Sequence, residues 1–209
     1  MNAPPQAPLD KPIPRGPVVQ PVWLRMTHWL NAIAVLIMLL SGWRIYNASP
    51  LFGFRFPNEI TLGGWLAGAL QWHFAAMWLL VANGLVYLVL NVVTGRFQQR
   101  FIPLSIPSAL RDIAAAMRGK LAHPDLAEYN AAQKLLYMGV VAAMVLTVLS
   151  GLAIWKSVQF PLLRTLMGGY DAARWVHFVG MSGIALFVFV HVLMTVLVPR
   201  TLIIMLRGR

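Results

Sequence analysis

The 209-residue chain contains no cysteine. Disulfides, cysteine-ligated iron–sulfur clusters and covalent c-type haem attachment are thereby excluded, and histidine is left as the one strong soft-metal ligand. Acidic residues are nearly as scarce: six Asp and Glu stand against seventeen Lys and Arg, for a net charge of +11. Only 11% of residues are charged and 59% are hydrophobic, which excludes an ordinary soluble domain. Proline is rare beyond the start of the chain. Seven of the fourteen fall in residues 1–21, a stretch with almost no large apolar side chains, so an extended or disordered arm is expected there.

With few charges and few prolines to interrupt them, long apolar runs remain. Four are long enough to cross a bilayer: about 25–46, 62–93, 131–155 and 173–198. Continuous apolar runs of this kind span as helices, because lipid offers no partner to an unpaired backbone group. The expected fold is an all-α membrane protein, a four-transmembrane-helix bundle occupying residues 22–209 behind the arm. No cleavable signal peptide is expected, since the first apolar run is already a full span. The 94–130 connection is the longest, and in it SALRDIAAAMRGKL places Leu110, Ile113, Met117 and Leu121 on one stripe. That pattern predicts a helix over about 108–121 lying on the cytoplasmic leaflet; a plain solvated helix fits it too.

The positive charge suits lipid headgroups better than nucleic acid. An even number of spans puts both ends on one side. That side carries twelve Lys and Arg, among them Arg25, Arg96, Arg111, Lys134, Arg200 and Arg207. The other carries five: Arg44, Arg55, Lys156, Arg164 and Arg174. Both termini are expected in the cytoplasm, and the protein in a bacterial inner membrane.

Four of the five histidines lie within spans. His177 and His191 share the last one, fourteen residues apart. At roughly 100° per residue they fall about 40° short of four full turns, with a rise of about 21 Å, so one helix face carries both, near opposite edges of the bilayer. Depth pairs His73 with His177 at the outer level and His28 with His191 at the inner level. Ionisable side chains at such depth mark function. Zinc would want three or four ligands at one depth, and a proton relay would want carboxylates, which are missing from the spans. Two pairs, each joining different helices, match bis-histidine ligation of two stacked b-type haems, with His28, His73, His177 and His191 as the iron ligands. His123, in the loop before Pro124, reads as a bystander.

Arg25 and Arg174 each precede a histidine by three residues, in RMTHW and RWVHF, and so share its helix face. Each could meet haem propionates or reach for lipid headgroups. Gly42, fourteen residues after His28, and Gly84, eleven after His73, leave room for porphyrin at the outer and inner levels. Gly180 and Gly183 fall between the ligands of the last span. Small residues equally serve helix packing.

These residues resemble the di-haem cytochrome b subunits of nickel–iron hydrogenases, formate dehydrogenases and thiosulfate reductases. The carriers are HWLNA at His28, QWHF at His73, the H-x13-H spacing of His177 and His191, and YNAAQK at Tyr129–Lys134; together they cover essentially residues 22–209. The resemblance implies the same two ligand pairs, and a quinone site beside the inner haem lined by Asn130 and Gln133, with Tyr129, Lys134 and Arg25 nearby. It also implies an extracytoplasmic catalytic redox subunit as partner, a molybdopterin oxidoreductase or a hydrogenase. A second copy of the chain is a further candidate partner. Some relatives have a fifth helix, for which there is no room here.

The expected function is electron transfer across the membrane between a periplasmic redox partner and the quinone pool, the haems carrying the chemistry. A stand-alone superoxide oxidase is the alternative, its five outer cations steering the anion inward. A haem-free transporter would use the histidines structurally and be colourless.

Overall fold

A computed structural model describes residues 19–103, 105–118 and 130–208. Most of the proline-rich arm, Tyr129 and His123 lie outside the described residues, as does Leu121. The described chain is entirely helical apart from its connections. Four long helices carry it: α1 (Val22–Ala48), α2 (Leu66–Val93), α5 (Ala131–Trp155) and α7 (Tyr170–Leu197). Between them stand the short helices α3 (Arg96–Phe101), α4 (Ile106–Met117) and α6 (Pro161–Leu166), with α8 (Pro199–Arg207) at the end.

The four long helices are apolar on nearly every face, and all four are long and apolar enough to cross a membrane. Large side chains point outward along them: Trp78 is 63% exposed, Phe189 67% and Val196 70%. Such a surface is stable only against lipid. The helices pack as two hairpins, α1 against α2 and α5 against α7, and small or polar residues fill the contacts. Asn83 donates to the Thr27 carbonyl and to Asn31 Oδ1, each at 2.7 Å, across the first hairpin. In the second, Gly180 is so close to the Thr147 side chain that a Cβ there would collide with it. Gly180 therefore serves packing between α5 and α7.

The apolar run beginning at Leu62 does not become helical until Leu66. Gly63 and Gly64 take φ of +106° and +69°, a turn that L side chains resist. It lets the Leu62 N–H bond the Leu40 carbonyl at 3.0 Å. The loop before it folds over the end of α1: Asn47 pairs with both backbone groups of Phe56, Trp43 stacks on Phe56 at 4.9 Å, and Phe52 meets Trp175 edge-on. Arg174 closes the same end by donating to the Ser49 carbonyl at 2.6 Å.

At the opposite end both termini of the described chain meet. Val19 and Gln20 donate to the Gly208 carbonyl, and Arg25 donates to the Leu206 carbonyl at 2.5 Å. Here α4 lies against α5, with Ala109 buried and Leu110 and Ile106 each 60% exposed. Asp112 fastens it: its Oδ2 accepts from the Ala131 and Ala132 amides at 2.9 and 3.4 Å, an acidic cap on a helix N-terminus. Asp112→Ala should cost about 1 kcal/mol of local stability. Hydrogen exchange checks this: the Ala131 and Ala132 amides should exchange several-fold faster, and unchanged rates would refute the cap.

Candidate functional site

The structure brings the four intramembrane histidines together in two pairs. The ring centroids of His73 (α2) and His177 (α7) are 6.4 Å apart, with planes at 64°. Those of His28 (α1) and His191 (α7) are 6.1 Å apart, with planes at 62°. Among the described residues, no group of three or more His, Cys, Asp or Glu gathers that could hold a metal ion.

The His73–His177 pair, the one expected at the outer level, opens into a cavity of about 480 Å³ between the two hairpins. Its walls are apolar: Met38, Leu39, Phe74, Met77, Val148, Ile154, Phe178 and Ile184 among others, with Arg174 and Tyr170 toward the loop end. Gly42 and Gly151 both line it. An added Cβ at Gly42 would stand 3.5 Å from His73 Cε1, and one at Gly151 only 3.1 Å from His177 Cε1. At Gly84 and Gly183 an added Cβ would meet nothing within 4 Å.

Hydrogen bonds set the tautomer of the outer rings. His177 Nδ1 lies 2.9 Å from the Thr147 carbonyl and 3.2 Å from Ser150 Oγ. A carbonyl can only accept, so Nδ1 carries the proton and Nε2 keeps a free lone pair. His73 Nδ1 lies 3.1 Å from Ser41 Oγ. The Ser41 hydroxyl donates to the Ile37 carbonyl at 2.6 Å, so its oxygen accepts from His73 and leaves Nε2 free there too. The inner rings are held by aromatic neighbours instead. Phe187 stacks on His191 at 5.6 Å and 11°, Tyr137 packs against Phe187, and Trp29 meets His28 edge-on.

Ser41, Ser150 and Gly151 are residues that reading for histidines alone passes over. The signal that finds them is an internal repeat. Leu40-Ser41-Gly42 on α1 recurs as Leu149-Ser150-Gly151 on α5, and His73-Phe74 with Met77 on α2 recurs as His177-Phe178 with Met181 on α7. Each hairpin thus supplies one half of the outer cavity, residue for residue. The register also explains the inner pair. In the repeat, His28 corresponds to Tyr137 and His191 to Tyr87, so the inner histidines are not equivalents of each other.

The remaining candidates fall at the termini of the helices. Arg174 lines the outer cavity but spends one nitrogen on Ser49. Arg25, one turn before His28, bonds Leu206 and has its Nε buried with no partner. Asn130 and Gln133 cap α5 reciprocally: Asn130 Oδ1 accepts from the Gln133 amide at 2.8 Å, and Gln133 Oε1 from the Asn130 amide at 3.1 Å. Both carboxamide oxygens are engaged in this capping box, which leaves the NH2 groups as donors. Lys134 is half-buried beside them. A second cavity, about 610 Å³, opens at the loop end and is lined by Arg44, Arg55, Asn58 and Trp65, with Arg44 bonded to Asn58.

Four helices long and apolar enough to cross a membrane, with histidines paired across them, suit a b-type cytochrome of the membrane. Residues 19–208 match the family described as prokaryotic cytochrome b561, and the chain belongs to that family. It is 60% identical over 190 residues to the "Putative protein-methionine-sulfoxide reductase subunit YedZ1" of Azospira oryzae, covering 91% of this chain and 96% of that protein. No solved structure matches it. Family membership implies b-type haem and transmembrane electron transfer, as an oxidoreductase subunit in the bacterial inner membrane.

Proposed function

We propose that the chain holds two b haems, one between His73 and His177 and one between His28 and His191, and passes electrons between the quinone pool and a periplasmic reductase. The observation that carries this is the spacing of the two pairs. Two imidazoles on one metal, each nitrogen about 2 Å from it as in other metal–imidazole bonds, place their ring centroids roughly 6 Å apart. The pairs stand at 6.4 and 6.1 Å. The Nε2 lone pairs of His73 and His177, the apolar walls and the glycines at 42 and 151 fit a porphyrin at the outer level. When bound, haem would carry one electron at a time at each level; the residues position it and exclude water.

Arg174 at the mouth of the outer cavity and the orphaned Nε of Arg25 near His28 suit propionates. The quinone site belongs at the start of α5, where the NH2 groups of Asn130 and Gln133 can donate to a quinone carbonyl, with Lys134 beside them. Tyr137 lies two turns along and connects through Phe187 to His191. The twelve-to-five distribution of Lys and Arg supports a cytoplasmic position for this end and for both termini. On this reading α4, with its exposed Ile106 and Leu110, rests on the inner leaflet.

The name of the Azospira relative supports a protein-methionine-sulfoxide reductase as the partner. Electrons then run outward: quinol yields two electrons and two protons, and reducing one sulfoxide to a thioether and water consumes two of each. The aromatic surface made by the loop residues Phe52 and Phe54 with Trp175 of α7 is what such a partner would meet.

Short-tailed benzoquinols and naphthoquinols, mixed anaerobically with the oxidised purified protein, test the reading. At least one should reduce most of the haem within seconds, as seen in the α-band. No reduction by either, together with rapid reduction by superoxide and onward transfer to quinone, would overturn it. The chain would then be a stand-alone superoxide oxidase, a role the Arg44 and Arg55 cavity would serve by drawing in the anion.

A further inference from the structure

The outer and inner histidine pairs differ in what their rings touch, and the difference has a redox consequence. We propose that Ser41 at His73, and Ser150 together with the Thr147 carbonyl at His177, are positioning groups that hold the two rings by their Nδ1 hydrogens and so set the outer haem at a lower reduction potential than the inner one. This rests on the two-haem reading above.

Both serines are fully buried, at 0% exposure, where no water competes for their oxygens. Each hydroxyl proton is already committed to the helix behind it: Ser41 to the Ile37 carbonyl at 2.6 Å, Ser150 to the Thr147 carbonyl at 3.0 Å. Each Oγ therefore presents lone pairs to a histidine Nδ1, at 3.1 and 3.2 Å; at His177 the Thr147 carbonyl, 2.9 Å away, shares the same hydrogen with Ser150. The arrangement occurs twice, at equivalent positions of the two hairpins. A ring that donates from Nδ1 to a fixed acceptor becomes a stronger electron donor through Nε2. A stronger axial donor favours ferric over ferrous iron and lowers the potential.

Among the described residues, neither inner histidine has a hydrogen-bond acceptor on its ring. His191 lies flat on Phe187 and His28 meets the edge of Trp29, contacts that orient a ring without enriching it. The inner site also breaks the repeat, since α2 and α5 carry Tyr87 and Tyr137 where a symmetric inner site would place histidines. An electron entering the protein would reside at the inner level until an acceptor at the outer face draws it outward.

The test is a redox titration of two single-haem proteins, His191→Ala retaining the outer haem and His73→Ala the inner. The outer haem should titrate at the lower potential. Adding Ser41→Ala and Ser150→Ala to the His191→Ala protein should raise its reduced-to-oxidised ratio at a given potential about tenfold, equivalent to 59 mV for a one-electron couple. The ferric electron paramagnetic resonance signal, which reports the angle between the imidazole planes, should change with it. The same serine changes in the His73→Ala protein should leave its potential where it was. An outer haem at the higher potential, or one that keeps both potential and signal without the serines, overturns the proposal and leaves the two-haem reading intact. If the serine variants shed haem, the order of the two unmodified single-haem potentials still decides. Two single-histidine variants that bind no haem, or that lose the same haem, overturn the two-haem reading and this proposal together.

Discussion

Replacing His73 with alanine should take the purified protein from about two b haems per chain to about one, and His191→Ala should do the same at the other level. The expectation is sharper than a count. His73→Ala and His177→Ala should remove the same spectral component, and His28→Ala and His191→Ala the other, because each pair would clasp one iron from opposite sides. Loss of one axial imidazole leaves the group held only by its apolar surroundings and a single bond. The two levels are about 21 Å apart along α7, so the undamaged site should keep its haem. A pyridine haemochrome assay with reduced-minus-oxidised spectra reads both the number and the component. A single haem that survives His73→Ala unchanged, or His73 and His191 variants that lose the same component, would sink the pairing.

A larger side chain at Gly151 should empty the outer site alone. A Cβ there already stands 3.1 Å from His177 Cε1 and 3.4 Å from Nδ1, closer than ordinary contact. Gly151→Leu adds three further carbons to a cavity of about 480 Å³, displacing the ring that should bind iron and the space beside it. Overpacking of this kind costs folding only about 1–3 kcal/mol, and leucine favours the helix over glycine. Helix content by circular dichroism should therefore hold while outer haem falls several-fold. Gly42→Leu should act in the same direction from the opposite hairpin, where the corresponding distance to His73 is 3.5 Å. An outer haem that stays bound in both variants would mean that the cavity between the hairpins is not its seat.

Much of the architecture can be read directly in the chain. The four apolar runs require helices, and their lengths require crossing, since lipid leaves a backbone no other way to satisfy its polar groups. The four histidines stand out because so little else in the spans is polar. The capping residues at the start of α5 are also local in origin, since Asn130 and Gln133 need only each other's backbone. Harder to see are Ser41 and Ser150, which look like ordinary small residues of membrane helices until the Leu-Ser-Gly repeat is noticed.

Other assignments depend on contacts between distant segments. Arg25 and Arg174 each lie on the face of a histidine, as helical spacing requires, yet their nitrogens reach carbonyls 181 and 125 residues away, at Leu206 and Ser49. The delayed start of α2 follows from the turn at Gly63 and Gly64 and its bond to Leu40, and the seating of α4 from Asp112 reaching the amides of α5.

By itself the sequence determined the four candidate spans, the position of each histidine along its span and the lack of cysteine, because hydropathy and helical rise act along one chain. Only the tertiary structure decided that the rings of each pair stand about 6 Å apart, that two hairpins enclose the outer cavity, and that, among the described residues, only the outer pair meets buried acceptors: Ser41 at His73, and the Thr147 carbonyl with Ser150 at His177. Those features depend on how helices far apart in sequence rotate and close against one another, and no periodicity within a single helix encodes that angle.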